Sequence, residues 1–159
     1  KHFAILAILA LLLVGCVPVP TPATPTQVPP QPAATAPVAE ADIVNIVWQW
    51  MSVTDQTTKE TQTVPNPEDY TIVFNADGTL TGKADCNTFS GTYTQENGFT
   101  INLGASTMMY CGDASMDQQY LELLGSVAAG GPDGEGGLAL ETTGGEQRML
   151  FKNGGVAPE

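Results

Sequence analysis

The sequence predicts a mostly β protein of α+β class: a compact antiparallel sheet curling into a partial barrel, with one α-helix packed on it. Three observations carry this. Tyr70-Thr71-Ile72-Val73-Phe74 places Tyr70, Ile72 and Phe74 on one side, the period-two pattern of a half-buried strand. Asp77-Gly78 and Asn97-Gly98 stand between such runs, where tight turns need a left-handed backbone. One stretch only, Ser115 to Val127, carries apolar residues at helical spacing.

Taken in order, Val47-Trp48-Gln49-Trp50-Met51 reads as a first strand with aromatic anchors on one face. The Thr-rich, Pro-broken sequence to Asp69 reads as a loop with room for an edge strand. Tyr70–Phe74 and Thr79–Ala84 form a first hairpin about Asp77-Gly78. Gly91–Gln95 and Phe99–Leu103 form a second about Asn97-Gly98. Thr107 to Tyr110 is expected to add a strand. Ser115 is expected to cap the helix, with Gln118 completing a capping box. Met116, Tyr120, Leu123, Leu124 and Val127 would then cover the sheet. Ala128 to Gly137 reads as a glycine-rich loop. Leu138–Glu141 and Arg148–Lys152, joined by Thr142-Thr143-Gly144-Gly145, close the domain. About six to eight strands with one helix fit a single small domain.

Ahead of that domain the chain changes character twice. Lys1 and His2 precede an unbroken apolar run from Phe3 to Val14, the pattern of a secretory signal. Twelve residues make roughly 18 Å of helix, short of the about 20 residues a bilayer requires. Leu13-Val14-Gly15-Cys16 resembles a bacterial lipobox, so we expect a signal peptide over 1–15 and lipid on Cys16. The sequence opens on Lys1, and an initiator methionine is expected ahead of it. Residues 16–41 hold eight of the twelve prolines, between Pro18 and Pro37, among Thr, Ala and Gln. Such sequence cannot build a core and serves as a semi-extended spacer. The folded domain is expected over 42–153, followed by a tail over 154–159.

Loss of Lys1 would leave Lys59, Lys83, Arg148 and Lys152 against 17 acidic residues. That balance argues against nucleic acid and anionic headgroups as direct partners; a solvated acidic surface is the commonest reading, and cationic partners or weak divalent-ion binding are compatible with it. The membrane is expected to be reached through lipid on Cys16 alone.

Cys86 and Cys111 remain as an even pair in an exported chain, which favours a disulfide. Closing that loop would stabilise the fold by about 3.5 kcal/mol in the chain-entropy model. A zinc site lacks ligands, since the single histidine, His2, lies in the leader. We expect neither metal nor cofactor.

Trp48, then Tyr70-Thr71-Ile72-Val73-Phe74-x-x-Asp77-Gly78, then Gly82-x-Ala84-Asp85-Cys86-Asn87-x-Phe89-x-Gly91-x-Tyr93 together resemble the META domain, also called HslJ-like. The similarity continues through Ser106-Thr107-Met108-Met109-Tyr110-Cys111, Tyr120-Leu121-x-x-Leu124, Leu138-x-Leu140 and Met149-x-Phe151. It implies a compact antiparallel β fold with a helix, in a family linked to envelope stress, antibiotic tolerance and, in some members, secretion or virulence. It implies no established enzymatic activity. Asp85, Asn87, Gly91 and Tyr93 are the motif positions. Two departures are Gly112-Asp113-Ala114-Ser115 after the second cysteine and a longer glycine-rich stretch over 130–137.

No histidine is left in the mature region to pair with Ser or Cys, so catalysis would fall to carboxylates. Asp85 and Asp113 would be neighbours if the cysteines are bridged, a candidate acid/base or weak cation pair; solvated loop carboxylates are the better expectation. Asn87 reads as a turn residue bonding its own backbone. Gly82 and Gly91 read as bulge or close-approach positions, and Asp77-Gly78 lacks calcium-loop spacing. The expected function is a non-catalytic envelope module binding another protein. A lipocalin-like carrier of a small ligand is the alternative, and a cation-dependent enzyme the distant one. A cavity lined by Trp48, Trp50, Tyr70 and Phe99 would favour the carrier, and a filled core with an exposed apolar patch the binding module.

Overall fold

The computed structural model describes residues 43–158. The expected leader, Cys16 and the Pro/Thr spacer lie outside the described residues. Nine strands form one sheet: β1 (Ile46–Asp55), β2 (Thr61–Thr63), β3 (Tyr70–Phe74), β4 (Thr79–Ala84), β5 (Asn87–Thr94), β6 (Thr100–Ser106), β7 (Val127–Pro132), β8 (Leu138–Thr142) and β9 (Gln147–Val156). The helix α1 spans Asp117–Gly125. The strand order is β6-β5-β4-β3-β1-β9-β8-β7, with β2 added to β1, and all these neighbours pair antiparallel. The sheet curls into a half-barrel. Its two ends approach where the N–H of Phe99, just ahead of β6, donates to the Ala128 carbonyl of β7 at 3.2 Å.

Period two explains which side chains fill the interior. Tyr70, Ile72 and Phe74 are buried from β3, and Phe89 and Tyr93 from β5. In β1 the buried set is Trp48, Trp50 and Val53. The change of phase falls where a register shift between Trp50 and Ser52 against β9 inserts one extra residue. Helix α1 lays Tyr120 and Leu124 into the open side. Tyr120 stacks on Trp50 with centroids 5.0 Å apart, and Tyr70 meets both edge-on at 5.9 and 5.8 Å, near the geometry aromatic quadrupoles favour. Phe74, Tyr93 and Phe99 form a second aromatic group.

Both predicted hairpin turns are present. At the first, the Asp77 carboxylate accepts from the Thr79 hydroxyl and amide, which hold its pKa below the ordinary value. Gly78 takes φ 82° there. Gly82 answers a different need: a β-carbon on it would meet the Phe89 ring and the Thr71 carbonyl. Gly91 sits beside a bulge in the β5–β6 pairing, and a β-carbon there would meet the Asn102 carbonyl.

Several expectations are corrected. Thr107 to Tyr110 adds no strand, because β6 ends at Ser106. The helix starts at Asp117, with Met116 at the cap position and no side-chain cap bond. Ser115 is therefore not the cap and Gln118 completes no capping box. The Ser115 hydroxyl still accepts the Asp117 N–H at 3.2 Å, and the Met116 N–H is taken by the Tyr70 hydroxyl at 2.9 Å. Val127 belongs to β7, and the stretch read as a loop from Ala128 is a strand as far as Pro132. Its small residues mislead propensity. A β-carbon on Gly130 would lie 2.5 Å from Leu140 Cδ2, so the backbone itself covers the core there. The final strand also runs on through Val156, into residues expected to form a tail.

Candidate functional site

The family-like motif and the segment after β6 meet at one end of the half-barrel. Strands β4 and β5 are joined through Asp85 and Cys86, since Ala84 pairs with Asn87. Asp85 adopts φ 58°, a left-handed conformation that Asp tolerates better than most residues. Its N–H donates to the Asp69 carbonyl at 2.7 Å, and its carboxylate accepts the Tyr70 hydroxyl at 3.4 Å. This turn points Cys86 at Cys111, and the two form a disulfide with Cα atoms 5.6 Å apart.

Asn87 follows directly and is 2 % exposed. Its Nδ2 donates to the Met109 carbonyl at 2.9 Å and to Asp117 Oδ2 at 3.1 Å. Its Oδ1 accepts the Met109 N–H at 2.7 Å and the Thr107 hydroxyl at 3.0 Å. The side-chain amide thus pairs with the Met109 peptide as a neighbouring strand would, and reaches the first turn of α1 as well. The expected self-bonded turn is therefore wrong. The bonds that satisfy this buried amide are long-range because the bridge brings residues 107–111 beside it. Thr107 extends the clamp: its hydroxyl accepts the Thr88 N–H at 2.9 Å, and its own N–H donates to the Thr88 carbonyl at 3.0 Å.

The clamped backbone turns its side chains outward. Met108, Met109 and Tyr110 are 94, 59 and 79 % exposed, next to a bridge whose Cys86 is itself exposed. The Tyr110 hydroxyl donates to Asp113, and that bond raises the phenol's pKa. Asp85 and Asp113 each have a tyrosine partner of their own, and no bond joins them among those of the described residues. No group of three or more His, Cys, Asp or Glu is placed to hold a metal ion among the described residues. Tyr93, the last motif position, is a core residue whose hydroxyl donates to the Asn75 carbonyl at 2.9 Å. The four aromatics considered for a ligand cavity, Trp48, Trp50, Tyr70 and Phe99, are all buried within the core cluster. A prominent surface depression is lined instead by Val47, Val73, Thr81 and Ala105.

Sequence reading missed Thr107 and Asp117 as parts of this constellation. The signal available was the cysteine pairing: once Cys86 is joined to Cys111, Asn87 must lie against the residues preceding Cys111.

Two solved structures share the fold. A DUF4847 family protein from Bacteroides vulgatus ATCC 8482 superposes with a TM-score of 0.54 at 16 % identity, over 69 % of this chain and 93 % of that one. A protein from Burkholderia xenovorans superposes with a TM-score of 0.56 at 17 % identity, over 79 % of this chain and 98 % of that one. None of the curated proteins matches the chain. The META domain family model matches residues 41–154, the whole half-barrel with its bridged motif and helix, and the chain belongs to the META domain family.

Proposed function

We propose that this chain is a lipid-anchored, extracytoplasmic binding module of the bacterial envelope, and that it grips a partner protein through the loop Thr107–Asp113. One observation carries the docking part: two methionines and a tyrosine stand exposed on a backbone fixed from behind by Asn87 and the Cys86–Cys111 bridge. Exposed large apolar side chains grouped in one segment mark interaction sites more often than isolated ones do. Met and Tyr are also among the residues enriched at protein interfaces. The core, by contrast, is filled with stacked and edge-on rings, which favours a binding surface over an interior ligand.

The partner's chemistry follows from charge. Lys83 and Arg148 are already paired with Asp69 and Glu141, and the chain has 17 acidic residues in all. Asp85, Asp113 and Asp117 flank the loop. The surface that fits is an apolar socket rimmed by Lys or Arg. The lipobox at Cys16 and the spacer behind it support tethering to a membrane, and the Cys86–Cys111 bridge supports an oxidising, extracytoplasmic location. Family resemblance supports a role in envelope stress rather than catalysis.

The test uses the full chain in its membrane, crosslinked mildly in wild type, in a Met108→Ser/Tyr110→Ser double variant and in Cys16→Ala. We expect a defined crosslinked species with wild type, weaker at raised salt, and absent from the double variant at unchanged melting temperature. Crosslinking that is identical in wild type and double variant would overturn the docking surface. Cys16→Ala should leave the membrane fraction, and its retention there would overturn the anchor.

A further inference from the structure

The same loop supports a chemical role that its apolar character alone does not suggest. Of the five methionines, Met149 is fully buried in the core. Met51 and Met116 are half-buried. Met108 and Met109 are 94 and 59 % exposed, adjacent in sequence, and mounted on the clamped backbone. Cys86 and Cys111 are already joined as a disulfide, so among the described residues these two thioethers are the most accessible sulfur reductants for a peroxide in solvent.

The geometry points to Met108 and Met109 as an oxidation site that changes the polarity of the exposed loop without unfolding the domain. In the reaction the thioether sulfur attacks one peroxide oxygen. The O–O bond breaks, an S–O bond forms, and water leaves. Sulfur is oxidised by two electrons, hydrogen peroxide is reduced, and a methionine sulfoxide remains. The product is a polar group in place of an apolar one. In a core this would disrupt packing, but Met108 and Met109 have their side chains in water. The Asn87 bonds go to the Met109 peptide rather than its sulfur, so oxidation leaves the clamp intact. An apolar face thereby becomes a polar one on an unchanged scaffold. The consequence for a partner rests on the docking surface proposed above; the oxidation site itself does not.

The test is a time course of the folded, bridged domain in hydrogen peroxide, read by peptide mass mapping, thermal melting and retention on a phenyl-agarose column. Met108 should oxidise about tenfold or more faster than Met149, with Met109 close behind. The melting temperature should hold while only these two are oxidised, and phenyl-agarose retention should fall. A Met108→Leu/Met109→Leu variant should keep its retention through the same treatment. Oxidation spread evenly over Met51, Met116 and Met149, or a melt that collapses once only Met108 and Met109 carry oxygen, would overturn the proposal. Loss of retention in the Leu variant would overturn it too. If the mapping succeeds while partner crosslinking ignores peroxide, the oxidation site stands and the docking surface fails.

Discussion

Replacing Asn87 with alanine should release the loop that the structure places at the centre of the site. The side chain makes five hydrogen bonds, two with the Met109 backbone, one with the Thr107 hydroxyl, one with Asp117 and a weak one to Cys111 Sγ that the sum below leaves aside. Each such bond nets about 0.5–1.5 kcal/mol, and more when one partner is charged. Met109 and Thr107 are exposed, so water can replace their lost partner and the lower figure applies to those three. The bond to the partly exposed Asp117 carboxylate adds about 1 kcal/mol. These sum to about 2.5 kcal/mol, or roughly 10 °C in melting temperature at about 4 °C per kcal/mol for a domain of this size.

Asn87→Asp separates the clamp from simple loss of volume. It keeps the acceptor facing the Met109 N–H but turns an acceptor toward the Met109 carbonyl and a charge toward Asp117. Burial and that neighbour would raise the new carboxyl's native pKa above its unfolded value of about 3.9. Its protonated form is then favoured by folding. Stability relative to the alanine variant is highest below about pH 4 and declines as pH rises through the raised native value. Urea unfolding from pH 4 to pH 7 measures both effects. An alanine cost under about 0.5 kcal/mol, or an aspartate-to-alanine difference that does not move with pH, would refute the clamp.

Reduction of the Cys86–Cys111 bridge should cost about 3.5 kcal/mol, measured by the urea midpoint, and titration of the denatured, unreduced domain should find no thiol from either cysteine. Gly82→Ala should cost about 3 kcal/mol by the same assay, because its β-carbon would press on the Thr71 carbonyl of the paired strand as well as on the Phe89 ring. Tyr120→Phe should be neutral or stabilise by up to about 1 kcal/mol, since the buried Tyr120 hydroxyl has no hydrogen-bond partner among the described residues. Burial also holds the Tyr120 phenol well above its ordinary value: the unfolded chain loses this proton above about pH 10 while the native state keeps it. Its contribution is therefore intact below pH 10 and falls by about 1.4 kcal/mol per pH unit above it. Alkaline unfolding should be milder in Tyr120→Phe, and identical curves would refute the assignment.

What the sequence disclosed and what it concealed divide along physical lines. Strands β3, β4 and β6 and the second half of β5 are legible because alternation and Asp-Gly or Asn-Gly turns are local signals; β5 itself starts at Asn87, four residues ahead of the expected Gly91. Strand β7 was not: Ala128-Ala129-Gly130-Gly131 has poor strand propensity, and it is held in place by pairing with β8 and by a close approach to Leu140 that no local pattern records. The helix is legible but its cap is placed one residue early, because the Met116 N–H is taken by Tyr70, which lies 46 positions away. Asn87 was singled out but misassigned for the same reason. Its partners lie 20 to 30 positions along the chain, so its role exists only once the bridge and sheet are in place.

The site joins two properties that usually oppose each other. Methionine side chains are flexible and adapt to many surfaces, yet ordering a loop on binding costs free energy that weakens affinity. Here the loop backbone is ordered beforehand by Asn87, Thr107 and the disulfide, while Met108 and Met109 keep their rotamer freedom in water. An adaptable face on a fixed frame would suit the docking surface proposed above, which could then fit its partner without reorganising its own backbone. It also gives the buried polar clamp a purpose beyond stability. An apolar residue at position 87 of similar volume could fill the same buried space, but it could not bond the Met109 backbone, and the exposed side chains would lose their fixed base.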